Sequence, residues 1–414
     1  MKRVFFILIL FIFSTAFADW EAIGPYGGPL TCVGVAPSNE NILYVTTYAN
    51  PSEILRSTDG GASWSKRSEL SSYIYCFAVD PDDPDVAYAG GNRVIYKTTD
   101  GGSTWSMDSV ANSNGYIYGI VVHPTSPNTV FAAGNAPSGT YTVMAFFKST
   151  DGGATWSTKL LHTAYYGYSY CLTLDSSQPD NIYVGGYYYN SGYYPEVYKS
   201  TDGGVNFSDA STGIPSGVMM IYSLAVHPTN SNIVYAGTYY GGVYRSLDGG
   251  SSWSNVTDGQ FVSALATTTV EPNVVYAGTD TLIYKSTDAG ASWNFCGAGY
   301  GGMYKYSRDL AAGQQTAGIV YNVDNLGCTK STDGGASWFP SNYGMTLAHI
   351  ASFTAAPSDP SVIYTEFEEV CIFKTTNSGD DWSMLPGALD CGSICEFAVD
   401  YTDPAVVLAL EGAG

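Results

Sequence analysis

The sequence predicts an all-β protein: a β-propeller of four-stranded antiparallel blades, with eight complete units and a partial ninth over residues 19–414. Three observations carry this. One signature recurs eight times, first as Ser57-Thr58-Asp59-Gly60-Gly61-Ala62-Ser63-Trp64, then around Asp100, Asp151, Asp202, Asp248, Asp288, Asp333 and Asn377. Successive copies lie 41, 51, 51, 46, 40, 45 and 44 residues apart. At such a period each repeat is one supersecondary unit that buries its faces only against its neighbours. Between copies the chain runs in short β-patterned segments, and no helical periodicity follows residue 18.

The first element is Met1-Lys2-Arg3, the apolar run Val4–Phe13 and then Ala16-Phe17-Ala18. A basic start, a run too short to span a bilayer and an Ala-x-Ala site describe a secretory signal peptide over residues 1–18, cleaved near Ala18-Asp19. The expected product is secreted, periplasmic or held at the cell surface. Removing Lys2 and Arg3 with the leader leaves 14 basic against 37 acidic residues, a net charge of −23. Nucleic acid and anionic membrane are poor partners for such a surface. No later run is long enough for membrane insertion.

The fifth unit shows the grammar. Ile221–His227 alternates as strand A, Ile233–Thr238 is strand B and Gly242–Arg245 strand C, with the signature turning into strand D at Trp253. Four antiparallel strands repeated radially form a propeller blade. A Pro/Asn turn links A to B. Small residues recur midway along strand A (Gly34, Ala78, Ala225, Ala266, Ala311 and Ala398), as expected of an innermost strand crowded around an axis. In the signature, the Asp carboxylate accepts from backbone N–H groups just after it, and the second glycine permits the positive φ of a tight turn. The closing Trp, or Phe207 in unit four, folds back as an apolar plug. A basic residue stands three positions before every copy, from Arg56 to Lys374, so it belongs to the repeat rather than to one site.

These residues resemble the Asp-box (bacterial neuraminidase) repeat S-x-D-x-G-x-[ST]-W of sialidases, xyloglucanases, sortilin-type receptors and photosystem assembly factors. The resemblance covers residues 20–412. It implies that the eight box residues Asp59, Asp100, Asp151, Asp202, Asp248, Asp288, Asp333 and Asn377 are structural and lie away from the ligand face. It says little of function, because those relatives differ in activity. Leu247, Ala289, Asn206 and Asn377 depart from the pattern, and the eighth turn is the weakest.

The ends do not match a finished ring. Trp20–Ile23 reads as an orphan strand D, and residues 392–400 and 404–412 supply strands A and B of a ninth unit. Either Trp20–Ile23 completes a three-stranded ninth blade, or the protein continues past Gly414; an exposed last strand favours the second. Among eight cysteines, Cys32, Cys76 and Cys171 share a strand-A slot filled by Ser223 elsewhere and read as small buried residues. Cys391 and Cys395 form the one locally plausible pair. The four histidines are scattered, so no metal site or cofactor is expected; His123 and His227 fill the slot that Asp80 fills elsewhere.

In a propeller the D–A and B–C connections share one rim and the A–B turns and boxes the other. Insertions at Asn135–Thr142 and Tyr187–Tyr194 lengthen units three and four on the first rim. Unit four is dense there in Tyr165, Tyr166, Tyr168, Tyr170, Tyr187, Tyr188, Tyr189, Tyr193 and Tyr194, with Tyr239 and Tyr240 adjoining and Tyr300, Tyr304 and Tyr306 further on. A phenol ring has a flat apolar face and a polar tip, suited to a carbohydrate or a protein ligand. The candidate binding set is Tyr165, Tyr166, Tyr168, Tyr187, Tyr188, Tyr189, Tyr193, Tyr194, Tyr239 and Tyr240. The alternative is that tyrosines simply suit strands.

No catalytic residue is assigned. The sialidase resemblance implies an arginine triad, whereas Arg93 and Arg308 are the rim arginines outside the repeat slot. The xyloglucanase resemblance implies a catalytic Asp where Tyr239 stands in Gly237-Thr238-Tyr239-Tyr240-Gly241-Gly242-Val243-Tyr244-Arg245. Asp280, Glu196, Glu366, Glu368 and Glu369 remain as rim carboxylates, with no spacing that pairs two of them. The expected function is ligand binding without catalysis; a glycoside hydrolase or a structural surface component are the other readings.

Overall fold

The structure, a computed structural model, describes residues 27–109, 115–163, 165–257, 259–280, 282–296, 307–345, 353–367, 371–379, 382–385, 394–400 and 402–411. Residues 1–18, Trp20–Ile23, Tyr300, Tyr304, Tyr306, Glu368, Glu369 and Cys391 lie outside the described residues, as do the side chains of Glu366 and Cys395. Eight four-stranded antiparallel sheets and one two-stranded sheet follow one another, each pairing its strands in chain order. Blade 1 comprises strands A to D at Leu30–Val35, Leu43–Thr47, Ser52–Ser57 and Ser65–Leu70. The ninth sheet holds Ile394–Val399 and Val407–Glu411. The unit count agrees with the repeat.

Strand B is buried along its whole length in blades 1, 2, 5, 6 and 7, because both its faces meet neighbouring blades. That accounts for its continuous apolar runs, such as Val234-Tyr235-Ala236. The small residues of strand A face the next blade rather than the axis. A Cβ on Gly34 would lie 2.8 Å from Phe77 of blade 2.

Each box is a closed set of hydrogen bonds. Ser57 Oγ donates to Asp59 Oδ1 at 2.8 Å and accepts Gly61 N–H at 2.8 Å, and Asp59 Oδ1 accepts Ser63 N–H at 2.9 Å. Gly61 has φ +83°, and a Cβ there would meet Ser341 Oγ of blade 7 at 2.5 Å. The Ser or Thr hydroxyls and N–H groups around Asp100, Asp151, Asp248, Asp288 and Asp333 pull those carboxyls down to about 2. The box carboxylates thus accept their hydrogen bonds from within their own turns. His227 likewise caps its own turn, accepting Thr229 N–H at 3.3 Å on Nδ1.

The repeated basic residue joins one blade to the next. Lys97 Nζ donates to Gly152 O at 2.7 Å, Lys148 to Gly203 O at 2.8 Å, Lys199 to Gly249 O at 2.7 Å and Lys285 to Gly334 O at 3.0 Å. Each acceptor is the first box glycine of the following blade. Each ammonium also lies over a strand-B ring: Tyr88, Phe131, Tyr183 and Tyr276 at 5.3–5.7 Å.

The same latch closes a ring after seven blades. Lys330 Nζ and Tyr321 Oη of blade 7 donate to Gly60 O of blade 1 at 2.7 and 3.0 Å. Trp64 Nε1 donates back to Ser341 O at 2.6 Å, and Gly27 N–H to Met345 O at 3.0 Å. Leu30, Val33, Leu43, Val45 and Leu55 share one core with Tyr321, Val323, Cys328 and Met345. The sequence reading looked for closure at the ninth unit or beyond; instead the eighth and ninth units stand outside a finished seven-blade ring. Blade 8 begins a new pairing with blade 9, where Tyr364 Oη donates to Pro404 O at 2.8 Å, as Tyr44 does to Pro84 O at 2.7 Å between blades 1 and 2. Blade 8 has its own core of Ala356, Val362, Tyr364 and Ile372. Cys32, Cys76, Cys171 and Cys328 are free and buried.

Lys330→Met keeps the aliphatic stem and removes the charged donor at the closing seam. The expected loss is about 1.5–3 kcal/mol in urea unfolding, with faster proteolysis between blades 7 and 1. An unchanged midpoint would mean that the seam does not depend on this bond.

Candidate functional site: an aromatic array at the axis and rim

A β-bulge near the start of strand A builds the centre of the site. The ladder skips one residue there in six blades of the ring, at Thr31, Tyr75, Tyr118, Tyr170, Tyr222 and Ser263. A bulged residue leaves the pairing and its side chain is re-aimed, here toward the axis. A cavity of about 670 Å³ lies along the axis, bordered by these six residues with Phe261 and Arg308.

The rings touch in series. Tyr75 lies 5.1 Å from Tyr118, Tyr118 4.9 Å from Tyr170, and Tyr170 4.8 Å from Tyr222 with planes 7° apart. Phe261 stands edge-on to Tyr222 at 4.8 Å. The series branches outward through Tyr187 to Tyr193 and Tyr189, and through Tyr239 to Tyr240. Burial pushes the Tyr75 and Tyr187 phenols up to about 12 and raises Tyr118 and Tyr170 further, so all four stay neutral hydrogen-bonding groups at physiological pH.

The ten tyrosines singled out by sequence divide between two surfaces. Tyr168, Tyr187, Tyr189, Tyr193, Tyr239 and Tyr240 join the axial array. Tyr188 points the other way, stacked between His162 at 4.3 Å and Tyr194 at 4.9 Å, with Tyr165 beside them at 5.9 Å. Tyr166 meets Tyr141 of blade 3 edge-on at 5.1 Å. The split follows from strand alternation. What reads as an insertion at Tyr187–Tyr194 is a continuation of the strands Gln178–Tyr189 and Tyr193–Ser200, paired to Tyr189↔Tyr193. Blade 3 is lengthened the same way, by Val130–Ser138 and Tyr141–Ser149. Tyrosine favours strands, so a Tyr-rich insertion extends the hairpin. Tyr75, Tyr118 and Tyr222 escape a search keyed to local density; their signal is the shared slot before Cys76, Gly119 and Ser223.

Tyr240 is 57% exposed, Tyr166 48% and Tyr189 44%, whereas Tyr187 is buried inside the array. At blade 7 the slot holds Arg308, stacked 4.3 Å over Tyr48 and donating from Nε to Asn325 Oδ1 at 3.0 Å. Asp309 beside it is buried, accepting Val33 N–H and Leu310 N–H at 3.1 and 2.9 Å, and burial pushes its carboxyl up to about 6. Among the described residues no cluster of three or more His, Cys, Asp or Glu side chains is placed to hold a metal. No helix among them is long and apolar enough to cross a membrane.

Of the rim carboxylates, Glu196 sits at the seam of blades 3 and 4, with Oε2 3.4 Å from His162 Nδ1. Burial works against charge on both, pushing Glu196 up to about 7 and His162 down. Asp280 stands on blade 6, just past strand B, Val275–Thr279.

The comparisons agree with this geometry. A family model of the Sortilin-Vps10 type, described as sortilin, neurotensin receptor 3, matches residues 52–193. A search of curated protein sequences returns no match. Among solved structures the chain is similar to the GH74 xyloglucanase from Xanthomonas campestris, with TM-score 0.62 and 15% identity over 92% of this chain and 71% of that one. It is similar to the GH74 enzyme of Niastella koreensis, with TM-score 0.62 and 16% identity over 93% and 70%. It also resembles YCF48 from Cyanidioschyzon merolae, with TM-score 0.54 and 15% identity over 74% and 96%. At these identities the likeness is one of fold. The boxes, the latches and the ring make the chain an Asp-box repeat β-propeller.

Glu196 gives the site a pH signature. The unfolded carboxyl loses its proton near its ordinary value of 4.5 and the folded one only near 7, so the folded state binds more protons between them. Stability therefore falls as pH rises through that window. Glu196→Gln is expected to flatten the decline and to exceed the parent by about 2 kcal/mol above pH ~7.5. Thermal unfolding across pH 5–8 measures it; parallel curves for the two proteins would refute it.

Proposed function

We propose that the chain is an exported carbohydrate-binding propeller that takes a glycan on its tyrosine array and does not hydrolyse it. The observation that carries this reading is the continuous run of stacked rings from Tyr75 to Tyr240, buried at the axis and open at Tyr189, Tyr193 and Tyr240. Sugar rings offer C–H faces that lie on aromatic planes and hydroxyls that exchange hydrogen bonds with neutral phenols. The array is fixed by its own packing, so little ordering is needed on binding. The leader at residues 1–18 and the acidic surface are consistent with export and with a partner that is neither nucleic acid nor anionic membrane.

Two of the similar structures are GH74 enzymes, one a xyloglucanase, which supports the carbohydrate reading. Glycoside hydrolysis requires two carboxyl groups flanking one bond. Glu196 faces His162 at the blade 3–4 seam, and Asp280 stands two blades further round the ring. A protein ligand is the second reading, favoured by the similar structure of YCF48 bound to D1 peptide.

Binding to a glycan array is expected to fall about tenfold for Tyr240→Ala and for Tyr189→Ala, with near-ultraviolet circular dichroism unchanged. Tyr194→Ala, on the opposite face, serves as the control and is expected to bind as the parent does. Binding untouched by all three substitutions would refute the array as the ligand surface. Release of reducing sugar by the parent would replace the binding reading with a hydrolytic one.

A further inference from the structure

The seam between blades 5 and 6 lacks the lysine latch of the 2–3, 3–4, 4–5, 6–7 and 7–1 seams, and also the pairing with Asp85 by which Arg56 joins blade 1 to blade 2. Five of the six box tryptophans in the ring donate their indole N–H: Trp64 to Ser341 O, Trp105 to Ser68 Oγ, Trp156 to Gly153 O, Trp253 to Ala210 O and Trp338 to Cys296 O. Trp293 does not. Its Nε1 is shielded from solvent and has no partner. By register its acceptor would be Val256 O, since Val256 N–H bonds Val243 O as Ala210 N–H bonds Val197 O and Cys296 N–H bonds Ile283 O. Arg245 Nε, in the latch position of blade 5, is unpartnered as Arg56 Nε is in blade 1, but no ion pair like that of Arg56 with Asp85 is seen for Arg245 among the described residues. The inner strands of this seam are nevertheless joined, with Thr267 Oγ1 donating to Val226 O at 3.3 Å and His227 Nε2 3.3 Å from Asn273 Oδ1. The two sheets meet at the axis and part at their outer edge.

Where they part lies a cavity of about 450 Å³, bordered by Trp293, Val256, Tyr284, Gln260 and Thr257. The volume is within the range of small-molecule sites and far above the ~30 Å³ share of one water. The geometry points to a site for one polyhydroxylated ring of monosaccharide size, wedged between blades 5 and 6. A group that satisfies this seam must accept from the Trp293 indole N–H, and a hydroxyl does so while keeping a proton to donate. Adjacent hydroxyls on one ring reach Tyr284 Oη and Gln260 Nε2, already linked to each other at 3.1 Å. The Trp293 and Tyr284 rings supply apolar faces. The site is separate from the tyrosine array but beside it: Asn255 Nδ2, in the cavity wall, donates to Gly241 O next to exposed Tyr240. A glycan lying on the array would have one sugar unit within reach of the wedge. That last step rests on the proposed function; the wedge itself does not.

The test is an indole ¹⁵N–¹H spectrum of the whole chain titrated separately with glucose, xylose and glycerol. Trp293→Phe assigns the Trp293 signal and keeps an aromatic ring in place. Glucose or xylose is expected to move that signal saturably, with a dissociation constant on the order of millimolar, while the other indole signals stay still. Gln260→Ala, which leaves the box intact, is expected to weaken the effect about threefold or more. A Trp293 signal unmoved by all three polyols would mean that the wedge holds water and would overturn the proposal; so would equal movement of every indole signal. Monosaccharide binding that survives Tyr240→Ala upholds the wedge even if glycan binding on the array fails.

Discussion

One carbonyl oxygen in each of five blades organises this ring. The box turn holds its first glycine at positive φ, which directs that residue's C=O toward the preceding blade. There it accepts from a lysine ammonium and often from a tyrosine hydroxyl as well, as Gly152 O does from Lys97 and Tyr88, and Gly249 O from Lys199 and Tyr183. The ammonium lies over an aromatic ring of strand B, so its charge is met from two sides without a carboxylate. A cation in this position pairs with backbone dipoles that the box has already fixed in place. This is how a chain with only 16 Lys and Arg residues uses five of them for one purpose.

Because the latch binds box to neighbour, the box rim is committed to structure and the opposite rim is free to vary. The variation is plain in blades 3 and 4, whose long hairpins carry tyrosines outward, and in the strand-A bulges, which turn Tyr75, Tyr118, Tyr170 and Tyr222 to the axis. Side chains that leave the ladder at a bulge gain no pairing energy from it and stack on one another instead. Aromatic packing at the axis and ligand recognition at the rim are thus continuous, one set of rings serving both. At the blade 5–6 seam, where Trp293 Nε1 has no partner, the inner strands are joined and a cavity lies between the outer ones.

Much of the architecture was legible in the primary structure. The period, the box and the A–B turns place every blade, and unit five reads almost residue for residue, with Ile221–Val226, Val234–Thr238 and Val243–Ser246 as observed strands. The hydrogen bonds of the box Asp residues to the N–H groups just after them were legible too, because an Asx turn is a local event. The binding surface was legible only in part. Density flagged Tyr187 and Tyr188 together, yet pairing sends them to opposite faces, and the axial Tyr118 and Tyr222 are not close in sequence to anything aromatic that they touch across blades.

What the amino-acid sequence determined alone is therefore whatever depends on residues within one repeat: the turn, the four strands, the position of the latch cation and the rim on which variation falls. Ring size is of another kind. Lys330 and Tyr321 of the seventh unit occupy the same slots as Lys97 and Tyr88 of the second, and nothing in them says that their partner is Gly60 rather than the next box along the chain. Closure at seven blades, with an eighth and ninth set apart, is decided by the accumulated rotation between packed sheets. That rotation is a property of side chains meeting across every seam at once, and it exists only in the folded molecule.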